Sequence, residues 1–211
     1  MTRCTNRIGI LFICILFLLL APGCTSTYMP TFNNDPQPTP EQEQVQSQPL
    51  PIDTSTSRVC VYRFTEPAGH DNIGYTTANS FYRGLESLGI FPEVVPEFDV
   101  PGISLAHQLN RAREKGCNLI FTGGVRLYLD GTQYQESRVV IEANAYRVDS
   151  GENIWHATVT EADQPTLSKD YYLYKTTGTE PLPALTLIEK IIENFMDMLR
   201  DAVNRADPAG K

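Results

Sequence analysis

The segment from Arg138 to Thr160, RVVIEANAYRVDSGENIWHATVT, constrains the fold most strongly because its pattern is that of a β-hairpin. Apolar and polar side chains alternate in its first half, which is typical of a strand with one buried face. The apolar positions on that face are Val139, Ile141, Ala143 and Ala145. The turn DSGE leads directly into NIWHATVT, the returning strand. The fold therefore contains an antiparallel strand pair that needs an apolar layer against one face.

Before this hairpin, segments of strand and helix character alternate. RVCVYRF, residues 58–64, is β-branched and aromatic and is predicted as a buried strand. Apolar residues at helical spacing predict a helix over residues 73–88, which Gly89 ends. IFPEVVPEF, residues 90–98, is predicted as a short strand, and its two prolines favour an edge of the sheet.

A second helix is predicted to begin after Ser104 as its N-cap and to end at Gly116. The strand CNLIFTGGVRLYL follows, and its pair Gly123 and Gly124 is predicted to mark a bulge or a bend. After the hairpin and a loop from about 161 to 181, a final helix is predicted. Its apolar stripe has helical spacing and comprises Leu185, Ile188, Ile192, Phe195, Leu199 and Ala202. The order β-α-β-α-β-β-β-α predicts an α/β (α+β) domain, a mixed five-stranded sheet with helices packed on it.

The amino-terminal segment has the pattern of a secretory signal. Arg3 and Arg7 precede an apolar run from Ile8 to Ala21, which is shorter than the roughly 20 residues that a bilayer-spanning helix needs. The phrase Ala21-Pro22-Gly23-Cys24 resembles the bacterial lipobox. This resemblance implies that residues 1–23 are a signal peptide that is removed and that Cys24 becomes the acylated first residue.

The resemblance also implies a location. Several acyl chains on Cys24, such as palmitate, give stable membrane anchoring. Thr25 stands where an Asp would resemble the inner-membrane retention signal, so the outer membrane is expected, with the domain facing the periplasm. Two alternatives stay open: an ordinary secretory signal in which Cys24 is incidental, and an uncleaved anchor.

The next segment is predicted as a tether. Residues 24–57 are rich in Pro and Gln, contain no Lys or Arg and show no hydrophobic period, a composition typical of disorder. The folded periplasmic domain is expected over residues 58–205 and a frayed tail over residues 206–211. With 17 Lys and Arg against 25 Asp and Glu, the chain repels phosphate backbones. A nucleic-acid partner is therefore not expected, and membrane contact is expected through the lipid alone.

Two cysteines remain in the folded part, Cys60 and Cys117. Both are expected at strands of one parallel sheet, where neighbouring backbones rarely give the geometry of a disulfide. Two buried thiols are therefore favoured, although the periplasm permits a bond. The chain has no C-x-x-C spacing that would indicate zinc or redox chemistry.

No catalytic motif is found in the sequence. The histidines His70, His107 and His156 stand apart, without H-E-x-x-H or G-x-S-x-G, and no metal or cofactor is expected. His70 and Asp71 are the most suggestive pair, because they follow the first strand at the edge where open α/β sheets bind ligands. The simpler interpretation is that Asp71 caps the following helix and His70 is a solvated loop residue.

The candidate partner-binding residues are aromatic. Tyr171, Tyr172 and Tyr174 stand in the loop after the hairpin, and interfaces favour such residues; folding back onto the sheet is the alternative. Trp155 is expected in the core. The apolar stripe of the last helix is expected to pack on the sheet. The alternative is that part of this stripe pairs with another subunit, so a homo-oligomer is possible.

The strand RVCVYRF, the phrase GCNLIFTGGVRLYL and the hairpin together resemble the periplasmic α/β lipoprotein fold of the CsgG, LpoB and TolB amino-terminal group. The resemblance implies a non-enzymatic module that binds or activates an envelope protein partner. The curli-pore subunit of this group has long insertions that form a transmembrane barrel. This chain has only short connections between its strands, so a pore-forming role is not expected. The alternatives are a small-ligand or peptidoglycan-binding lipoprotein, and a hydrolase using His70 and Asp71.

Overall fold

The computed structural model describes Thr54, residues 57–99 and residues 103–206. The predicted signal peptide, Cys24, most of the predicted tether and the end of the predicted tail lie outside the described residues. No helix within the described ranges is both long and apolar enough to cross a bilayer.

A five-stranded mixed sheet forms the centre of the domain. Its strands, in the order β2-β1-β3-β4-β5, are β1 (Arg58–Tyr62), β2 (Glu93–Glu97), β3 (Leu119–Leu129), β4 (Ser137–Arg147) and β5 (Asn153–Asp163). Strand β1 is parallel to both of its neighbours, whereas β3, β4 and β5 are antiparallel. The predicted mixed sheet and the predicted hairpin are confirmed, and β2 is an edge strand as its prolines indicated.

Within the described ranges, three helices pack on the sheet: α1 (Ile73–Leu88), α2 (Leu105–Glu114) and α3 (Ala184–Ala206). Helices α1 and α3 cover one face and form the main core, and α2 covers part of the other. The predicted stripe of α3 is buried except for Leu185, which is 48% exposed; Ala184 and Leu187 are buried instead. The predicted element order is confirmed, with two additional short strands in the region expected as a loop.

The main core is centred on a closed ring of four aromatic side chains. Phe121 of β3 lies 5.4 Å from Phe81 of α1, and Phe195 of α3 lies 6.0 Å from Phe81. Trp155 of β5 completes the ring, with its centroid 6.0 Å from both Phe121 and Phe195. One tilted or edge-on contact therefore joins each neighbouring pair of elements. Trp155 is a core residue, as predicted.

The glycine pair of β3 permits close approach of the preceding chain. A Cβ on Gly123 would lie 2.1 Å from the carbonyl oxygen of Glu142 and 2.8 Å from the Phe64 ring, and one on Gly124 would lie 2.3 Å from the Thr65 hydroxyl. The register shifts immediately afterwards, between Val125 and Leu127. The predicted bulge is thus present next to the pair, and the glycines themselves make room for residues 64 and 65.

The prediction that Cys60 and Cys117 are two thiols is wrong, because a disulfide joins them. Cys117 lies outside the strand, in the turn between α2 and β3, and its N–H donates to the carbonyl of Ala112. This turn crosses the face of β1 that α2 covers, so the Cα atoms lie 5.9 Å apart. That separation is within the ordinary disulfide range. The prediction was wrong because Cys117 was expected within the parallel strands and lies before β3.

Helix α2 is held to the sheet by buried polar contacts as well as the disulfide. The Tyr62 hydroxyl donates to the carbonyl of Gln108 at 2.9 Å, and burial raises the pKa of Tyr62 to about 12. The carboxylate of Glu97, whose side chain is 6% exposed, accepts from Arg111 at 3.1 Å and also from Lys115. Glu97 therefore links the edge strand β2 to α2 and to the residue after it.

We expect Glu97→Gln to lower the free energy of unfolding by about 1–2 kcal/mol, because it leaves both cations without their anion while keeping the side-chain volume. Urea unfolding followed by circular dichroism measures this difference. The matched control is Glu93→Gln in the same strand, whose ion pair with Arg58 is exposed and whose loss should change stability by less than about 0.5 kcal/mol. Equal effects of the two variants would contradict a larger contribution of Glu97 than of Glu93 to stability.

Candidate interaction site

The predicted loop between β5 and α3 contains a small hairpin of two strands, β6 (Lys169–Tyr171) and β7 (Tyr174–Thr176). Tyr171 pairs with Tyr174, so Tyr172 and Leu173 form the turn at its tip. At the base, Thr166 and Thr179 exchange backbone hydrogen bonds of 3.0 Å, and their hydroxyl groups lie 2.6 Å apart. A hydrogen-bonded ladder therefore holds the turn of Tyr172 and Leu173 at the tip of this hairpin.

The tip of this hairpin exposes large apolar side chains. Relative exposure is 103% for Tyr172, 88% for Leu173 and 62% for Tyr174. The alternative that these tyrosines fold back onto the sheet is wrong for Tyr172 and Tyr174; Tyr171 is described as backbone only. Contiguous exposed aromatic and leucine side chains are uncommon on monomers and mark interaction surfaces.

Two further exposed apolar residues, which the sequence argument missed, lie near the base of the hairpin. Tyr134, in the β3–β4 turn, is 78% exposed, and Leu167 is 60% exposed. Both line a groove of about 580 Å³ whose other walls include Gln133, Lys175 and Glu180. The signal for Tyr134 was available, since DGTQYQES places an aromatic residue in a polar turn. Its proximity to the hairpin was not, because the two segments are distant in sequence.

The suggestive pair His70 and Asp71 does not form a catalytic arrangement in the described structure. The His70 ring packs on Tyr128, with centroids 5.0 Å apart, and no hydrogen bond joins His70 to Asp71 within the described residues. The predicted capping role of Asp71 is wrong as well, because Asn72 is the N-cap of α1 and its side chain makes no cap hydrogen bond. In the described ranges, no three His, Cys, Asp or Glu residues are grouped as metal ligands.

A polar network lies on the face of the sheet opposite α1 and α3. The carboxylate of Glu142 accepts from Arg126 at 2.7 Å and from Asn144 at 3.1 Å. The Asn144 side-chain oxygen in turn lies 2.9 Å from Nδ1 of His156 and accepts from Asn153 at 3.0 Å. Burial opposes the charge of Glu142, but the hydrogen bonds from Asn144 and Arg126 outweigh it and hold the pKa of Glu142 below its ordinary 4.5.

This lowered pKa has a consequence for acid stability. A carboxyl whose pKa is lower in the folded state stabilises the fold above its unfolded pKa, and that contribution is lost as the pH falls through the folded pKa. We expect wild type to be more stable than Glu142→Gln at pH 7, and the difference to shrink as the pH falls below 4.5. Thermal melting between pH 7 and pH 3 measures this. A difference that stays constant or grows on acidification would contradict it.

Comparison with known proteins identifies the fold. No protein-family model and no curated protein sequence matches the chain. Among solved structures it is similar to the PelC dodecamer from Paraburkholderia phytofirmans, with a TM-score of 0.56, 16% sequence identity and coverage of 75% of this chain and 95% of that chain. At this level of identity the likeness shows a shared α/β fold.

Two lower-scoring similarities are to bacterial proteins as well. Lipoprotein GNA1162 from Neisseria meningitidis has a TM-score of 0.41 and 11% identity, over 69% of this chain and 99% of that chain. The LpoB C-terminal domain from Salmonella enterica has a TM-score of 0.32 and 11% identity, over 51% of this chain and 84% of that domain. The broader CsgG-like grouping stays a prediction.

Proposed function

We propose that this chain is a non-catalytic, lipid-anchored interaction module of the bacterial envelope, which binds or activates a protein partner through the tip of the β6–β7 hairpin. The observation that carries the proposal is the exposure of Tyr172, Leu173 and Tyr174 on a hydrogen-bonded hairpin. Aromatic side chains bury large areas at low conformational cost, and they dominate binding energy at protein interfaces.

The test is the double variant Tyr172→Ser with Leu173→Ser. A photo-crosslinking amino acid at position 173 should capture a defined envelope protein in cells, and the double variant should reduce recovery of that protein at least tenfold in pull-downs. The control is the same crosslinker at Leu185, which is 48% exposed on α3. Equal capture from both positions, or unchanged recovery with the double variant, would refute the hairpin as the contact.

The location is part of the proposal: the outer membrane, with the domain facing the periplasm and Cys24 carrying the lipid. It is supported by the lipobox-like phrase that ends at Cys24. We expect Cys24→Ala to abolish the acylated mature species in mass spectrometry and to release the protein from membranes. A membrane-bound product of unchanged mass, apart from the substitution, would contradict lipidation.

Self-association is included in the proposal because the PelC protein of the same fold is a dodecamer. Sedimentation of the solubilised native protein tests it, and a monomer at all concentrations would refute it.

A second candidate function is binding of a small ligand or of wall glycans in the groove beside the hairpin. Its lining favours this class, because it combines the exposed Tyr134 ring with threonine and serine hydroxyls and the Gln133 amide. Co-sedimentation with purified peptidoglycan tests it, and Tyr134→Ser should weaken the binding. The hydrolase alternative would require loss of cellular function in His70→Ala with Asp71→Ala.

A further inference from the structure

Strand β5 is an edge of the described sheet and pairs with β4 alone. It runs from Asn153 to Asp163 without proline, lysine or arginine, and from Ile154 to Thr160 the only ionisable side chain is His156. Long edge strands without such protection are templates for pairing with another chain.

The direction of its backbone groups follows from the hydrogen bonds of β3. Thr65 donates to the carbonyl of Gly123 at 2.9 Å, and Val125 donates to the carbonyl of Thr65 at 2.8 Å. The backbone N–H and C=O groups of Gly123 and Val125 therefore point toward the β1 side of β3. Those of Gly124, which lies between them, point toward β4. Because backbone direction alternates along a strand, the alternation can be followed across the sheet.

Gly124 is opposite Glu142, and Ala143 is opposite Ala157. The backbone groups of Glu142 thus hydrogen-bond to Gly124 in β3, and the backbone groups of Ala143 hydrogen-bond to Ala157 in β5. The residues that alternate with Ala157 then direct their N–H and C=O groups away from the sheet. These residues are His156, Thr158 and Thr160, and within the described part of the chain no hydrogen bond to these outward groups is found.

The opposite edge of the sheet is protected. Strand β2 contains Pro96, which cannot donate a hydrogen bond, and its first residue Glu93 is charged and paired with Arg58. The β2 edge is therefore protected against strand pairing and the β5 edge is not. Pairing of β2 with the β5 edge of another copy is disfavoured.

We propose that the β5 edge binds the β5 edge of a second copy of this chain, antiparallel and centred on Thr158. In this register Thr158 is opposite the partner's Thr158, and His156 is opposite the partner's Thr160. All outward backbone groups of the three residues are then paired, since each such pair exchanges both hydrogen bonds.

The side chains fit this register as well. Threonine pairs directly opposite each other stabilise antiparallel strands. Glu161 meets no like charge, because it is opposite the partner's Trp155. Asp163 lies beyond this pair, where the register of the partner's β5 shifts at Ile154. The two sheets become one continuous sheet across the dimer. This inference rests on the self-association in the proposed function and names the surface that carries it.

The test is cysteine crosslinking of the full chain in cells, read on non-reducing gels. In the proposed register the Cα atoms of two residues at 158 are about 5.5 Å apart, within disulfide range. Thr158→Cys should therefore form a covalent homodimer. Thr160→Cys is the matched control on the same edge and face, where the two residues at 160 are about 13 Å apart and should not crosslink.

A second variant tests the interface without a new thiol. Thr158→Lys adds a charge at the centre of the edge, where it would meet its own copy, and should weaken dimerisation at least tenfold in sedimentation experiments while the far-UV circular dichroism spectrum is unchanged. The hairpin double variant Tyr172→Ser with Leu173→Ser should leave the Thr158→Cys crosslink intact.

The outcomes are distinct. An oligomer in which Thr158→Cys does not crosslink would overturn the β5 interface but keep self-association. Equal crosslinking at 158 and 160 would overturn the register. A disulfide from position 158 to a different protein would show that another strand occupies the edge and would overturn the second copy as occupant. A monomer would refute both the interface and the self-association.

Discussion

Trp155→Ala is expected to lower the free energy of unfolding by about 3–5 kcal/mol, the usual cost of removing a large aromatic side chain from a packed core. Trp155 is 1% exposed and contacts Phe121 and Phe195. Its loss opens a cavity where β3, β5 and α3 meet. Trp155 is the single tryptophan of the chain, so the alanine variant cannot be followed by tryptophan fluorescence. Urea unfolding followed by far-UV circular dichroism therefore measures the stability of both wild type and variant.

The matched control is Trp155→Phe. Within the described part of the chain the indole N–H has no hydrogen-bond partner, so phenylalanine removes volume without leaving a polar group newly unpaired. We expect this variant to lose at most about half as much stability as Trp155→Ala. An alanine variant as stable as wild type would contradict the aromatic ring as the centre of the core.

Replacing both Cys60 and Cys117 by alanine is expected to cost about 4 kcal/mol, the chain-entropy value for a crosslink over a sequence separation of 57 residues. Reported effects of removing native disulfides span about 2–5 kcal/mol. The bond ties β1 to the turn that follows α2, so its loss releases the crossover between β1 and β3. Urea unfolding of the oxidised wild type and the double variant measures the effect.

Reduction provides the control. Wild type in dithiothreitol should lose stability to about the level of the double variant, whereas the double variant should not respond to the reductant. Alkylation of the unfolded, unreduced protein followed by mass spectrometry should leave both cysteines unmodified. Two alkylated thiols at these positions would contradict the bond.

Much of the fold could be predicted from local pattern. The helix over residues 73–88, the edge position of β2 and the hairpin of β4 and β5 follow from periodicity, proline placement and turn chemistry, which act within a few residues. The β6–β7 hairpin was missed because strands of three residues are too short to show a period. Leu185 was misassigned because it lies in the first turn of α3, where Ala184 and Leu187 are the buried residues.

The candidate site was predicted in part. Three tyrosines in the region expected as a loop could be singled out from residue type alone, but the exposure of Tyr172 and Tyr174 could not. It depends on the paired threonines at the base of the hairpin, Thr166 and Thr179. Whether a loop projects or folds back is decided by contacts between segments, and no local pattern encodes those contacts.

The sequence by itself determined the five long strands and the three helices, most of their buried positions and the edge that is protected by proline, because these properties arise from neighbouring residues. Only the tertiary structure decided which distant residues meet. It joined Cys60 to Cys117, closed the aromatic ring from four different elements and left β5 as an edge. The physical reason is that each of these depends on how the helical crossovers and the antiparallel meander bring separate segments together. That arrangement is set by the packing of the whole core, not by the spacing within any one segment.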